Sequence, residues 1–296
     1  MEIPPRKFGD ALNEWFRSLG RNWKPLLLSS LVVHVPIGVV VTLAFWLFGA
    51  TDAFALYLDS ETLETMSDAE IIETLAPFLW AMGVWMVLQL LGAVFVYVAS
   101  ARTVAGDMSG TGFSWFEVSR FAWRKTLVAA ASILLVVLGA VVLAGVATAI
   151  GWSVISAGGV TFFTVFVTAT AGLTALVILV WLGVSVTFGS QVIAIEDTGP
   201  ASALARSFSL VQRRWWVTLG YVLVTALIVS AASQIISIGL VPLLLIGTAV
   251  PAVLGIAFGA SAVLQGPLLA VIAAAYAIWY VDLRARKEPL LADQLV

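Results

Sequence analysis

The chain is 296 residues long, with 61% apolar and 11% charged residues, against about 45–50% and about 25% in an ordinary soluble domain. Its mean hydropathy is +1.05, and no soluble globule of this size hides so much apolar surface, so it is an integral membrane protein. Disorder and a coiled coil are excluded by the same composition. So is a nucleic-acid-binding domain, because 15 bases against 17 acids leave no basic footprint.

Cysteine is absent, which excludes disulfides, thiol catalysis and cysteine-ligated metal centres. A membrane helix needs about 20 mainly apolar residues. Arg6, Lys7, Arg17, Arg21 and Lys24 precede the first such stretch, Pro25–Ala50. Ala53-Phe54-Ala55 fits a signal-cleavage pattern, but the apolar run before it exceeds the roughly 7–15 residues of a signal core, so a retained helix is expected. The next connection holds seven acids, Asp52, Asp59, Glu61, Glu64, Asp68, Glu70 and Glu73, and no base. Pro77–Ser100 forms the second span, followed by Arg102, Arg120, Arg124 and Lys125. Thr126–Ile150 and Val165–Ser190 follow, joined by an uncharged loop. Arg206, Arg213 and Arg214 then precede Trp216–Ile238. The last span is Gly259–Val281, with Arg284, Arg286 and Lys287 after it. None of these spans contains Asp, Glu, Lys or Arg, and none alternates as a barrel strand does.

From Trp216 to Val281 run 66 residues without a charge, room for two or three helices. Loop charge decides between them. Every base lies before the first span, after an even-numbered span or after the last. By the positive-inside rule both termini are then cytoplasmic, the protein sits in the cell (cytoplasmic) membrane, and the count is six. Residues 239–258 are left as a re-entrant element, an outer-surface element or a lengthening of their neighbours.

Self-comparison shows a threefold pattern. Phe16 is followed seven residues later by Trp23, Phe116 by Trp123, and Phe208 by Trp215. A base stands at or beside each Trp (Lys24, Arg124, Arg214), and a span begins at once. Seven residues are two helical turns, so each Phe and Trp share a face. Leu204, Phe208, Val211 and Trp215 make one apolar stripe; Leu12, Trp15, Phe16, Leu19 and Trp23 make another. Short amphipathic helices of this kind lie in the membrane interface. The expected fold is therefore all-α: six transmembrane helices as three pseudo-repeated hairpins, each preceded by a cytoplasmic amphipathic interfacial helix. The units run over about 9–100, 101–190 and 199–281 of one domain, with 282–296 as a cytoplasmic tail.

The stretch Val192–Gly220, with Glu196-Asp197-Thr198-Gly199-Pro200 and then Arg206-Ser207-Phe208, resembles the membrane proteins grouped around the "glycerophosphoryl diester phosphodiesterase membrane domain", including actinobacterial six-helix proteins of unknown function. The ending Tyr280, Asp282, Arg284, Arg286 and Glu288 is similar to a tail of the same proteins. The resemblance implies a six-helix layout and no particular activity. The phosphodiesterase barrel fused to some relatives needs paired histidines and a carboxylate cluster, whereas this chain has only His34.

Chemistry-bearing constellations are few. The acidic loop has no calcium-loop spacing and reads as a solvated loop. His34 and Gln89 are polar residues inside spans, where an ionisable group is a functional candidate by default. With no intramembrane acid to pass a proton to, His34 is expected to bond a carbonyl one turn back or a neighbouring helix. Gln89, Gln191, Gln234 and Gln265 are expected to form interhelical hydrogen bonds of roughly 0.6 kcal/mol each. Small pairs at Ala140–Ala144, Gly145–Ala149 and Ala270–Ala274 are expected to let helices approach. No catalytic residue, metal site or cofactor is expected. The expected function is a non-enzymatic, lipid-interacting scaffold or partner subunit; a small transporter, channel or flippase for a lipid-like substrate is the alternative. The expected partners are membrane lipids and another membrane protein or a second copy, without nucleic acid. The residues expected to meet lipid are Phe16, Trp23, Lys24, Phe116, Trp123, Arg124, Arg206, Phe208, Arg213, Arg214, Trp215 and Trp216.

The topology is testable in intact cells. Ser60→Cys is expected to label with an impermeant thiol reagent and Ser109→Cys to stay unlabelled. The reverse pattern would invert the orientation.

Overall fold

The computed structural model describes residues 3–57 and 66–295; Asp59, Glu61 and Glu64 of the acidic connection, and Ser60, lie outside them. The helices are α1 (Phe8–Leu47), α2 (Ala50–Tyr57), α3 (Asp68–Ser109), α4 (Trp115–Gly158), α5 (Phe162–Val186), α6 (Gly189–Glu196), α7 (Pro200–Val211), α8 (Trp215–Ala249) and α9 (Pro251–Lys287). Six helical stretches among the described residues are long and apolar enough to cross a membrane. The chain is thus an all-α, multi-pass membrane protein.

Helix starts follow local chemistry. Ser67 caps α3 and Ser114 caps α4, each in a reciprocal pair with the Glu three residues on, Glu70 and Glu117. Pro200 and Pro251 occupy the first turns of α7 and α9, where their missing N–H costs nothing. The stretch 239–258 belongs to the two neighbouring helices: α8 runs on to Ala249, and Val250 turns the chain into α9. Pro242 is carried inside α8.

The segments leading into the spans differ from one another. In α1 a non-helical residue, Asn22, separates the leading segment from the span. The cause is Pro25, whose ring crowds the carbonyl of residue 21 and lacks a donor. The Asn22 side-chain amide donates back to the Ser18 carbonyl, 3.1 Å away. In α4 the leading segment is continuous with the span. Its 44 residues reach about 66 Å at 1.5 Å each, beyond the roughly 45 Å of a bilayer with headgroups. The third leader is a helix of its own, α7, joined to α8 by a 3₁₀ turn at Gln212–Arg214.

Helices α1, α3 and α9 form the core; α4 pairs with α5, and α8 leans on α9. The α1–α9 seam is a glycine contact. A Cβ on Gly259 would meet the Gly38 carbonyl oxygen at 2.5 Å, and one on Gly255 would meet the Trp46 ring at 2.6 Å. Thr42 Oγ1 crosses the seam to the Gly255 carbonyl at 3.1 Å, and Trp46 Nε1 donates to the Ala252 carbonyl at 2.7 Å. This Gly-x-x-x-Gly pair does the work expected of other small pairs. Of those, Ala270 and Ala274 are buried as expected. Ala144, Gly145 and Ala149 instead face outward on α4, whose one-sided packing against α3 and α5 leaves that surface uncovered.

Before Asn22, α1 crosses one end of the bundle. Phe8 stacks on Tyr221 of α8 at 4.8 Å, Tyr221 on Trp279 of α9 at 4.6 Å, and Trp15 meets Trp279 edge-on at 5.9 Å. Trp15 is fully buried and donates to the Val271 carbonyl.

Gly259→Leu is expected to force the α1–α9 seam apart and cost at least about 1–3 kcal/mol, the usual penalty for overpacking. The check is thermal unfolding in detergent beside Gly139→Leu, which faces open space. Equal melting temperatures would mean that the seam does not hold the fold.

Candidate functional site

The four basic segments come together at one end of the bundle, tied by ion pairs. Arg21 on α1 pairs with Glu14 at 2.6 Å and with Asp107 on α3 at 2.7 Å. Lys125 on α4 pairs with Asp197 after α6. The Arg6 N–H donates to Asp282 on α9 at 2.5 Å, and Arg286 Nε holds the same carboxylate at 2.8 Å. Asp282 is 1% exposed, so both bonds are needed to offset its desolvation. Arg21 is pushed well above its ordinary range by the hydrogen bonds to Asp107 and then Glu14.

Glu196, the last residue of α6, is the centre of this end. It accepts from Arg206 Nε on α7 at 3.2 Å and lies 3.6 Å from Arg284 Nε on α9. The fully buried Tyr280 donates its hydroxyl to the same carboxylate. Glu288 closes the ring, with Arg206 Nη2 at 2.5 Å and Arg284 Nε at 2.7 Å. Burial alone would lower the Arg206 guanidinium, but Glu196 and Glu288 outweigh it and raise it. Burial alone would raise Glu288, but the Arg284 and Arg206 hydrogen bonds hold it below the usual carboxylate range. The stretch around Glu196 and Arg206 and the ending at Tyr280–Glu288, some 80 residues apart in the chain, therefore meet here.

This changes the role of Arg206. The sequence groups it with Arg213 and Arg214 as a lipid-facing base, whereas two carboxylates of its own chain claim it. The reason is the turn at 197–199, which folds α7 back beside the end of α9. Arg213 and Arg214 are exposed, with no ion pair among the described residues.

Beside the junction is a hollow of about 830 Å³, lined by Ser209, Gln212, Arg213, Arg214, Trp215, Trp216, Arg286 and Lys287 together with Leu210, Val217 and Leu283. Among the described residues no carboxylate lines it. Lys287 Nζ is positioned by the Ser209 carbonyl and hydroxyl, both at 3.2 Å. Charge and an aromatic ledge thus stand together at the end of the spans. Arg286 and Lys287 belong to this set but carry no spacing signal, since only α9's packing against the α7–α8 turn brings them in.

The remaining interfacial candidates separate by environment. Phe16, Trp23 and Lys24 are exposed, with Lys24 Nζ 5.6 Å from the Trp23 ring. Phe116, Trp123 and Arg124 are exposed on α4. Trp216 is exposed, whereas Phe208 and Trp215 are half-buried on Trp181 of α5. Arg102 lies over the Phe113 and Phe121 rings, at 4.5 and 4.9 Å.

His34 is fully buried, and its Nδ1 lies 3.0 Å from the Ser30 carbonyl one turn back. A carbonyl only accepts, so Nδ1 carries the proton; Nε2 is a buried lone pair without a partner among the described residues. It abuts Gly92 of α3, and Gly266 of α9 seats the ring. Gln89 is half-buried, its Oε1 unpartnered. The expected interhelical glutamine bonds are not formed among the described residues. Gln265 donates to Ser261 on its own helix at 2.9 Å, which needs no neighbour's register, and Gln191 is buried with neither amide atom paired. Among the described residues no three His, Asp or Glu side chains gather as a metal site.

No known protein family, curated protein or solved structure matches the chain.

Arg206→Gln is expected to cost about 1–3 kcal/mol, between the surface and buried-pair limits. Glu288 has a depressed carboxyl in the folded protein, so its contribution is present above the ordinary 4.5 and is lost as pH falls below it. Thermal melts from pH 7 to pH 3 should therefore fall more steeply for wild type than for Glu288→Gln; parallel curves would remove Glu288 from the stability of this end.

Proposed function

We propose that this protein is a non-enzymatic membrane scaffold or partner subunit that holds anionic lipid at its basic end, which by the positive-inside rule is the cytoplasmic face. The observation that carries this reading is the hollow in which Arg213, Arg214 and Lys287 stand beside Trp215 and Trp216 with no acid in the wall among the described residues. Bases beside an anionic leaflet contribute about 1 kcal/mol each, and aromatic rings favour the headgroup level. Exposed Trp23 with Lys24, and Trp123 with Arg124, extend the same pairing around the bundle. The clefts that face the membrane are apolar, as between α1, α3 and α4 at Val32, Pro36, Leu88 and Leu127. That wall suits acyl chains better than a water-filled path, which favours a scaffold over a transporter, channel or flippase.

Native mass spectrometry with phosphatidylglycerol tests the proposal. Arg213→Gln with Arg214→Gln is expected to weaken retention by about 2 kcal/mol, or roughly thirtyfold. Arg206→Gln should weaken stability and leave retention in the folded fraction unchanged. Equal retention by wild type and the double variant would sink the proposal.

A further inference from the structure

The fourth span is broken near its basic end. Helix α5 stops at Val186 and α6 starts at Gly189, with Phe188 at φ −92°, ψ 11° between them. Within a bilayer such backbone is tolerated only where protein satisfies it or a cavity receives it. Ser207 of α7 satisfies one side: its hydroxyl accepts from the Phe188 N–H at 3.2 Å and donates to the Ser185 carbonyl at 3.0 Å. On the other side Thr187, Gly189 and Ser190 line a cavity of about 380 Å³.

Tyr97 of α3 and Tyr276 of α9 enter the same wall, their rings edge to face at 6.2 Å. Neither hydroxyl has a hydrogen-bond partner among the described residues, whereas Tyr280, one turn along α9, gives its own to Glu196. A Tyr hydroxyl held inside a protein normally finds a partner. Ser132, Thr187 and Ser190 add three further hydroxyls, and the rest of the wall is apolar, including Val136 and Leu269. Among the described residues no Asp, Glu, Lys, Arg or His lines it. An ionised group entering here would lose its hydration with no countercharge, which is prohibitive. A neutral group that donates and accepts would pair with the tyrosines at no such cost.

We propose that this cavity binds the hydroxyl end of an uncharged lipid, of the diacylglycerol or long-chain alcohol class, with the hydroxyl between Tyr97 and Tyr276 and the chain against the apolar wall. The cavity is separate from the basic hollow, and the inference does not rest on anionic lipid binding. It is tested on the full chain in nanodiscs with a photoreactive diacylglycerol, using dioleoylglycerol as competitor and peptide mapping as readout. Saturable labelling on α3, α4 or α9 residues of the cavity wall is expected. Tyr97→Phe with Tyr276→Phe, which keeps the packing, should weaken competition about tenfold, the net loss of two neutral hydrogen bonds of modest strength. Ser190→Leu, which fills the space, should abolish labelling. Arg213→Gln with Arg214→Gln should leave it unchanged. Equal competition by phosphatidylglycerol, unchanged competition in the double tyrosine variant, or no saturable labelling, meaning water alone in the cavity, would each overturn the inference.

Discussion

Gly38 on α1 and Gly255 and Gly259 on α9 let two helix backbones meet where a Cβ would collide. Lipid tails are as apolar as leucine, so helices in a bilayer gain little by hiding apolar surface from them and gain mostly by close packing. The first and last spans make the most extensive helix–helix contact, and this closes the chain on itself. Both ends of the described chain then fall at one end of the bundle, where Arg6 reaches Asp282 and the Ile3 N–H reaches the Leu290 carbonyl at 2.9 Å. The residues after α9 are accordingly not a loose extension: Leu290 and Leu295 are buried.

Once the ends are brought together, the basic segments stand too close to remain independent. Their acids interleave them: Asp107 serves Arg21, Asp197 serves Lys125, and Glu196 and Glu288 serve Arg206 and Arg284. A partly desolvated carboxylate such as Glu196 gains little net stability from its partners, but losing one of them leaves a buried charge uncompensated. The junction therefore specifies the arrangement of α6, α7 and α9 more than it stabilises it. The hollow depends on that arrangement, because Arg286 and Lys287 reach Arg213 and Arg214 only when α9 lies against the α7–α8 turn.

Depth separates two kinds of polar chemistry. At the membrane boundary, charges such as Arg21, Arg206 and Arg284 are paired and others such as Arg213 and Lys287 face the hollow, where water and headgroups reach them. About two turns deeper, the wall at Tyr97, Tyr276 and Ser190 offers hydroxyls only. The broken span joins the two levels, since α6 begins at the cavity and ends on Glu196. A change in what fills the cavity therefore bears on the same short helix that the ion pairs hold.

The number of spans, the end at which the charged segments lie and the absence of charge within the apolar stretches follow from composition and loop charge, because a bilayer penalises each charge and each unpaired backbone group locally. The seven-residue spacing of Phe and Trp was equally visible, but its surroundings were not: Phe16 and Trp23 stay exposed, while Phe208 and Trp215 pack on Trp181. Gly255 and Gly259 were readable as a small pair and could not be told from Gly145 and Ala149, since a lipid-facing and a helix-facing glycine look alike until a partner helix arrives. Arg206 and Arg213 are likewise equivalent as letters. Only the tertiary structure gave one two carboxylates and left the other without an ion pair among the described residues, because a pairing between residues 196, 206 and 288 depends on helix positions in space rather than on distance along the chain.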